Sequence, residues 1–306
     1  MANPPMLFSR REWLADVGRA AVGLSGWSLG LAAVQPASTA SPFCLFSKHL
    51  PELAWTDLGR AVREAGFDGV DLTVRSGGHV LPDRAADDLP RAIEAITAQG
   101  VKVPMITTEL TSADAPTARP ILLAAARAGV GYFKAGYWRY AMSPDVRAQV
   151  AATAAAVEGL AALAQDCGIV MGFHNHAAYV GAALWDIAPA IDRLDPRWAG
   201  YYFDPRHAAA EGSGGAWKAA THLACSRLKM LALKDCRPLK SAKGWTIEDC
   251  PLGEGMVDLA WTARVIRATG FAGPISVHLE YDMPTGTAHT LAAARRDLEV
   301  ARRFFG

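Results

Sequence analysis

The sequence predicts an α/β protein of the (β/α)8 TIM-barrel class, and three observations support this prediction. Removing an N-terminal segment of 40 residues from the 306 leaves 306 − 40 = 266, close to the roughly 250 of a single eight-stranded barrel. Eight short strand-like runs then alternate with eight longer Ala-rich runs, a pattern typical of a parallel sheet with helical crossovers. No Gly-rich phosphate-binding motif stands between a strand and a helix, which disfavours an open nucleotide-binding sheet.

The predicted strands are short apolar runs, and the predicted helices are the longer Ala-rich stretches between them. Together they fill one domain, which we expect to cover residues 41–306. The strands are predicted at Phe43–Ser47, Gly69–Val74, Val101–Thr107, Gly131–Ala135, Ile169–His174, Gly200–Asp204, Met230–Asp235 and Ile275–Glu280. The helices are predicted at residues 52–65, 87–99, 117–128, 144–167, 185–194, 216–226, 257–269 and 286–304.

Residues 1–40 have the pattern of a twin-arginine signal peptide. Arg10 and Arg11 precede an apolar stretch rich in Gly and Ala, and the small residue Ala40 marks a suitable cleavage point. The pattern predicts export of the folded protein to the periplasm or the medium, with no stable membrane insertion after cleavage. An uncleaved membrane anchor is the alternative, although the apolar stretch is barely long enough to span a bilayer.

The charge balance disfavours nucleic acid and anionic membranes as partners. The chain has 31 Lys and Arg against 30 Asp and Glu, a formal net charge of +1, so no large basic surface is expected. A small neutral or weakly charged ligand fits better, and aromatic residues such as Trp138 and Trp245 suit either sugar stacking or a homo-oligomer interface. The five cysteines lack close spacing, so we expect free thiols, with a Cys236–Cys250 disulfide as the alternative.

Polar residues at the carboxyl ends of the predicted strands are the candidates for a site, because barrel active sites lie at that end. His174 and His176 lie two positions apart, so both imidazoles are expected to point to the same face. Asp204 and Glu280 close two other strands, and an enclosed carboxylate requires a partner or a metal. Carboxylate and imidazole together suit Mn²⁺, Fe²⁺, Co²⁺ or Zn²⁺. His278, deeper in its strand, is expected to be structural.

Two lysines and further histidines complete the candidate set. Lys134 and Lys234 end strands four and seven, where each is expected either to pair with a buried carboxylate or to hold a substrate oxygen. We favour the substrate role for Lys234. His49 and His79 follow strands in loops and are predicted substrate contacts, whereas His176 is open between substrate contact and support of a metal ligand.

Several short motifs are similar to those of the xylose isomerase-like TIM barrel superfamily, which contains sugar phosphate isomerases and epimerases. The resemblance extends from about Phe43 to Phe305 and is specific for the superfamily, but it says little about the substrate. The motifs are Gly66-Phe67-Asp68-Gly69-Val70-Asp71-Leu72, Gly172-Phe173-His174-Asn175-His176, Asp204-Pro205-Arg206-His207, Leu233-Lys234-Asp235, Pro251-Leu252-Gly253-Glu254-Gly255 and His278-Leu279-Glu280.

The resemblance implies a divalent metal and assigns roles to individual residues. Asp204 and Glu280 match two metal ligands, and His207 matches a substrate-binding histidine. His174 stands where sugar epimerases have a glutamate, and Ala232 stands where many members have another histidine ligand. The implied metal ligands are therefore His174, Asp204 and Glu280, around Mn²⁺, Co²⁺, Zn²⁺ or Fe²⁺.

The leading hypothesis is a metal-dependent isomerase or epimerase of a sugar or keto-sugar that works through an enediolate. Glu280 or His174 takes the proton, and Lys234 stabilises the enediolate. One alternative is a lyase or dehydratase that cleaves a 3-keto-glycoside by the same chemistry. Another is a non-catalytic periplasmic carbohydrate-binding protein. The predicted substrate-binding residues are His207, His176, His49, His79, Lys134 and Arg206.

Overall fold

The computed structural model of the chain describes residues 40–141, 145–212, 214–242 and 244–306. Residues 40–306 form one compact unit. The predicted twin-arginine signal, residues 1–40, lies outside the described residues except for Ala40. Export therefore stays a prediction.

Eight parallel strands close into a barrel, which confirms the predicted fold class. The strands of the chain are β1 (Phe43–Phe46), β2 (Gly69–Val74), β3 (Lys102–Thr108), β4 (Tyr132–Lys134), β5 (Val170–His174), β6 (Ala199–Phe203), β7 (Leu228–Leu233), β8 (Asp235–Ser241), β9 (Gly244–Cys250) and β10 (Ile275–Val277). Hydrogen-bonded neighbours around the barrel follow the order β1, β10, β7, β6, β5, β4, β3, β2. Strands β8 and β9 form a separate antiparallel hairpin.

Helices connect the barrel strands, and each predicted helix has a counterpart within a few residues of its predicted ends. The fifth predicted helix, residues 185–194, corresponds to a helix of only about one turn. Helix α6, which follows β6 directly, was not predicted. The helices are α1 (Trp55–Glu64), α2 (Ala85–Thr97), α3 (Ala118–Arg127), α4 (Val146–Cys167), α5 (Ala188–Ile191), α6 (Pro205–Glu211), α7 (Ala216–Cys225), α8 (Leu259–Arg267) and α9 (Thr287–Phe305).

The hairpin of β8 and β9 is a second feature that the sequence did not predict. Its register runs from Asp235 opposite Cys250 to Ser241 opposite Gly244. The Asp235 carboxylate fixes the base of the hairpin and the loop after it by accepting four backbone N–H groups. The Lys-Asp and Leu-Gly-Glu-Gly motifs therefore contain a structural clamp. The donors are Cys236 at 2.8 Å, Gly253 at 3.0 Å, Gly255 at 3.0 Å and Val257 at 3.1 Å.

A small apolar cluster fills part of the barrel interior. It consists of Met105, Tyr202, Met230 and Ala232, and the Ala232 side chain is fully buried within it. A Cβ atom at Gly172 would collide with the terminal methyl of Met230, so a larger residue at this position on β5 requires the Met230 side chain to move. Close packing of this kind sets the spacing of β5, β6 and β7, whose ends carry candidate site residues.

All five cysteines are free thiols in the structure, so the alternative of a Cys236–Cys250 disulfide is not formed. Among the described residues, one helix, α4, is long and apolar enough to pass a membrane-span test based on length and composition. Helix α4 is also the crossover between β4 and β5, and it buries Val157, Leu160 and Leu163. Core helices pass the same test, so this finding is weak evidence for a membrane span.

Candidate active site

A cavity of about 120 Å³ lies at the carboxyl ends of the barrel strands. Active sites of TIM barrels lie at this end, so the cavity is the candidate active site. Its wall combines aromatic rings, imidazoles and cationic side chains. The lining residues are Phe46, Lys48, Arg75, Thr107, Lys134, Tyr137, His174, His176, Tyr202, Lys234, His278 and Glu280.

The stretch His174-Asn175-His176 joins the end of β5 to the end of β6. The Asn175 amide nitrogen donates to the Asp204 carbonyl at 2.9 Å, and its oxygen accepts from the Asp204 N–H at 2.8 Å. Both bonds are buried, so they hold the two strand ends together. His174 and His176 both line the cavity, as the spacing of two positions predicts.

Asp204 is fully buried and caps helix α6. Its Oδ1 atom accepts hydrogen bonds from the N–H groups of Arg206 at 2.9 Å and His207 at 3.3 Å. Its Oδ2 atom lies 3.2 Å from Lys234 Nζ and 3.7 Å from the Nε2 atoms of His174 and His207. Burial raises the pKa of Asp204, and the Lys234 ammonium opposes that rise.

Two lysines hold Glu280 between them. Lys48 Nζ donates to Oε1 at 2.6 Å, and Lys234 Nζ donates to Oε2 at 3.1 Å. Burial favours a higher pKa, but the positive charges of Lys234 and Lys48 outweigh it and hold the pKa of Glu280 well below its usual range. Lys234 thus bridges Asp204 and Glu280, and Glu280 stays an ionised, strongly hydrogen-bonded carboxylate.

Arg206, a predicted substrate contact, is buried, and its guanidinium binds side chains of the protein. Nε donates to Asp249 Oδ1 on β9 at 2.6 Å, and Nη1 lies 3.1 Å from His207 Nδ1. A guanidinium only donates hydrogen bonds, so His207 Nδ1 is the acceptor. The ring hydrogen of neutral His207 therefore lies on Nε2, the nitrogen that faces Asp204.

His49 and His79, also predicted substrate contacts, belong to the wall behind the cavity lining. His49 Nε2 accepts a hydrogen bond from the Leu279 N–H at 3.0 Å. Both ring nitrogens of His79 have protein partners, the Thr73 hydroxyl at 3.2 Å and the Leu50 carbonyl at 3.1 Å. These bonds engage both ring nitrogens of His79 and one of the two ring nitrogens of His49.

The imidazoles that line the cavity are neutral near pH 7. Burial, reinforced by the charge of Lys234, lowers the pKa of His174 and of His278 well below the usual value. Burial lowers the pKa of His176 to about 4. His176 Nδ1 donates to the Ala177 carbonyl at 2.9 Å, which leaves the lone pair of Nε2 free. His278, expected to be structural, also lines the cavity, and its Nδ1 has no hydrogen-bond partner among the described residues.

His174, Asp204 and His207 have the ligand types and spacing of a divalent-metal site. Each offers one ligand atom, and these atoms lie within 4.8 Å of one another. His174 Nε2, Asp204 Oδ2 and His207 Nε2 are buried and have no hydrogen-bond partner in the described part of the chain. The residues therefore fit a metal ion. The Nε2 atom of His174 is free, and Asp204 Oδ2 makes no hydrogen bond but lies 3.2 Å from the Lys234 ammonium. Binding through His207 requires its ring hydrogen to move to the side that faces Arg206.

The chain belongs to the xylose isomerase-like TIM barrel family, whose sequence profile matches residues 60–304. No curated protein sequence matches the chain significantly.

Solved structures of similar fold include several sugar epimerases. The 3-keto-D-glucoside 4-epimerase YcjR from E. coli is 16% identical, with a TM-score of 0.66 over 86% of this chain and 99% of that one. A D-psicose 3-epimerase structure determined with D-fructose is 13% identical, with a TM-score of 0.66 over 87% and 99%. A xylose isomerase-like protein from Mycobacterium smegmatis in complex with magnesium is 14% identical, with a TM-score of 0.66 over 87% and 98%. At these identities the likeness establishes the fold.

Sequence reasoning missed several residues of the site. Arg75 and Lys48 line the cavity but lie beyond the ends of their strands, so strand periodicity gives no signal for them. Tyr137, to which the sequence assigns no specific role, also lines the cavity, and its ring lies 4.7 Å from the His176 ring and 3.3 Å from Lys134 Nζ. Asp249 reaches the site through the hairpin, which was not predicted.

Proposed function

We propose that this chain is an epimerase or isomerase that removes a proton next to the carbonyl group of a sugar or keto-sugar. The main support for the proposal is the composition of the cavity, where neutral imidazoles face the side chains of three lysines and one arginine. Removal of such a proton requires a base to accept it and positive charge to stabilise the enediolate that remains. Similarity of fold to sugar epimerases supports a carbohydrate as the substrate class.

His176 is the proposed proton acceptor. Its Nε2 lone pair is free, it lines the cavity, and its pKa of about 4 keeps it neutral near pH 7. Glu280, one of the bases suggested by the sequence, is a weaker candidate because Lys48 and Lys234 stabilise its ionised form. In this proposal Glu280 positions Lys234, whose ammonium holds an enediolate oxygen.

The position to which a proton returns decides which product forms. His176 Nε2 accepts the proton and becomes an imidazolium ion, while the electron pair of the broken C–H bond forms the enediolate. Return of this proton from the imidazolium to the neighbouring carbon gives an isomer. An epimer forms if a second acid protonates the same carbon from the opposite face, after which the imidazolium releases its proton to water.

We also propose dependence on a divalent metal held by His174 and Asp204. When bound, a divalent ion supplies Lewis-acid polarisation of a carbonyl oxygen. His174 Nε2 and Asp204 Oδ2 are buried and make no hydrogen bond among the described residues, although a bound ion would have to share Oδ2 with the Lys234 ammonium 3.2 Å away. The structure of a magnesium-bound neighbour supports the choice of a divalent ion.

Solvent isotope exchange tests the proposed reaction. The protein, supplied with Mn²⁺, is incubated in deuterated water with keto-sugars and 3-keto-glucosides, and deuterium next to the carbonyl is measured by NMR. We expect exchange, and we expect His176→Gln to lower its rate by about a hundredfold or more, as for loss of a general base. His289→Gln on α9, exposed and outside the cavity, is the matched control and should leave the rate unchanged.

Two other results would contradict the proposal. Tight binding of a sugar without exchange would favour the non-catalytic binding protein. Release of the alcohol part of a 3-keto-glucoside as the main product would favour the lyase.

Elemental analysis tests the metal separately from the reaction. We expect about one divalent ion per folded chain after loading, and its loss in Asp204→Asn. Asparagine keeps the oxygen that caps α6 but removes the negative charge, so the fold should persist. Asp258→Asn at the cap of α8 is the matched control and should retain the ion. Retention in Asp204→Asn would exclude this site.

A further inference from the structure

The four basic side chains of the cavity fall into two pairs with different surroundings. Lys48 pairs with Glu280, and Lys234 pairs with both Glu280 and Asp204. Arg75 and Lys134 have no carboxylate oxygen within the ion-pair limit of 4.0 Å among the described residues. The cavity therefore contains two basic side chains that have no carboxylate partner among the described residues.

Of the two, Lys134 has the greater need of a negatively charged partner, because it is buried. Only 2% of the residue is exposed, and its Nζ makes one long hydrogen bond, 3.5 Å to the Thr108 carbonyl, besides lying 3.3 Å from the centre of the Tyr137 ring. Burial, together with the nearby charge of Arg75, lowers the pKa of Lys134 well below its usual value. A buried ammonium group without a counterion is costly, so an anionic ligand would stabilise it.

Asp71, a buried carboxylate, does not act as a counterion for Lys134. Asp71 lies inside the barrel, where Thr107 donates to one of its oxygens at 2.8 Å and Ser276 donates to the other at 2.8 Å. Burial raises the pKa of Asp71 to about 6, despite these hydrogen bonds. Asp71 is thus engaged by hydroxyl groups and forms no ion pair with Lys134.

Arg75 presents a free guanidinium to the same cavity. It follows β2, is partly exposed, and makes no side-chain hydrogen bond or ion pair within the described ranges; its contact is with the Phe46 ring, at 5.8 Å. A guanidinium binds the two oxygens of a carboxylate or phosphate through parallel N–H groups.

The order of the strands places Arg75 in the half of the barrel opposite the proposed reaction centre, and Lys134 between them, on the strand next to β5. His174, Asp204, Lys234 and Glu280 end or follow β5, β6, β7 and β10, which are consecutive in the closed sheet. Lys134 ends β4 and Arg75 follows β2, on either side of β3, which lies in the opposite half of the barrel. A sugar that reacts at the first group therefore extends its far end toward the second.

We propose that Arg75 and Lys134 form a subsite for an anionic group of the substrate, a carboxylate or a phosphate, at the end remote from the reacting carbon. This inference rests on the proposed function, because it assumes that a sugar occupies the cavity. It makes the substrate a sugar acid or a sugar phosphate, where the near-neutral composition of the chain had favoured a neutral or weakly charged ligand.

Matched ligands that differ in one terminal group test the subsite. The first series is D-fructose, the uronic acid that carries a carboxylate at the terminal carbon, and the phosphate ester at that carbon. The second is the corresponding series built on D-glucose. Binding is measured by titration calorimetry on the metal-loaded protein, and on Arg75→Gln, Lys134→Met and Arg84→Gln. Arg84 is an exposed arginine paired with Asp88, so Arg84→Gln is the matched control.

We expect one anionic ligand to bind at least about tenfold more tightly than its neutral partner, and this advantage to weaken with added salt. The advantage should disappear in Arg75→Gln and in Lys134→Met but persist in Arg84→Gln. Whether the uronic acid or the phosphate ester binds more tightly identifies the source of the anionic group.

Equal binding of neutral and anionic partners, absence of anion binding in both series, or an advantage that survives both substitutions would overturn the subsite. Isotope exchange separates its failure from that of the proposed function. Exchange with neutral sugars but no anionic advantage overturns only the subsite, whereas anionic binding without exchange overturns only the reaction.

Discussion

Arg206 selects which nitrogen of His207 carries the ring hydrogen. The guanidinium is itself fixed by Asp249 at 2.6 Å, so a donor is held 3.1 Å from His207 Nδ1. The Nε2–H group then faces Asp204 and the space that a ligand oxygen beside Asp204 would enter. Arg206 is in this view a positioning residue, because it acts through His207.

NMR of the histidine side chains tests this arrangement without any substrate. In the metal-free protein we expect the nitrogen shifts of His207 to show hydrogen on Nε2, because Arg206 donates to Nδ1. Arg206→Met removes the donor and should raise the population with hydrogen on Nδ1. Arg237→Met removes an exposed arginine that pairs with Glu248 and should leave the His207 shifts unchanged. Hydrogen on Nδ1 in the unmodified protein would refute the argument.

The sequence predicted where the site lies better than it predicted what each side chain contacts. His174, His176, Lys134 and Lys234 line the cavity because strand ends of a barrel converge. Position after a strand did not distinguish these residues from His79, whose ring binds neighbouring protein groups. Such partners depend on side-chain reach across the barrel, which periodicity along one strand does not encode. The roles assigned to these residues stay predictions.

At the scale of secondary-structure elements, the sequence predicted the eight alternating strands and helices of the barrel but not helix α6 or the hairpin of β8 and β9. The eight barrel strands follow apolar runs bounded by polar residues, and each is found within about three residues of its predicted ends, consistent with the usual uncertainty of boundaries. Helix α6 was missed because it is short and begins directly after β6, at Pro205. The hairpin was missed because its strands are largely exposed and lack a continuous apolar face.

Because the Asp235 carboxylate accepts four backbone hydrogen bonds, the stability of the hairpin base depends on this one side chain. Asp235→Asn should reduce the free energy of unfolding by about 2 kcal/mol, because the amide has one acceptor oxygen and leaves buried N–H groups without a partner. Chemical denaturation measures the change. Asp166→Asn, which removes an exposed ion pair with Arg119, should alter the unfolding free energy by less than about 1 kcal/mol. Equal effects of the two substitutions would contradict the clamp.

At the scale of the whole molecule, burial of neutral histidines makes stability depend on pH. Six histidines have a pKa that the fold lowers, chiefly through burial, whereas the same side chains in an unfolded chain titrate near 6.5. Below about pH 6.5 the unfolded chain binds protons that the folded chain does not, so acid favours unfolding. The six are His49, His79, His174, His176, His207 and His278.

We therefore expect the free energy of unfolding of the metal-free protein to fall by several kcal/mol between about pH 7 and pH 5, since each such histidine contributes up to about 1.4 kcal/mol per pH unit. Urea denaturation at a series of pH values measures the slope. In His79→Gln the decrease in the free energy of unfolding between about pH 7 and pH 5 should be smaller, because one titrating group is removed. A flat profile would mean that these histidines are protonated in the folded protein.

Export is a prediction about the whole chain that rests on residues 1–40. A double substitution of Arg10 and Arg11 by lysine should retain the protein inside the cell, because the paired arginines are what the predicted pathway recognises. Cell fractionation followed by mass measurement of the N-terminus tests this. Recovery of an uncleaved chain in the membrane fraction would instead support the anchor.

The paired bonds of Asn175 have a mechanical consequence. Because the Asn175 side-chain amide forms hydrogen bonds with both the N–H and the carbonyl of Asp204, the carboxyl ends of β5 and β6 are held together. His174 and Asp204 cannot drift apart without breaking two buried bonds at once. Any motion that opens or closes the cavity while these bonds stay intact must therefore involve segments other than the joined ends of β5 and β6.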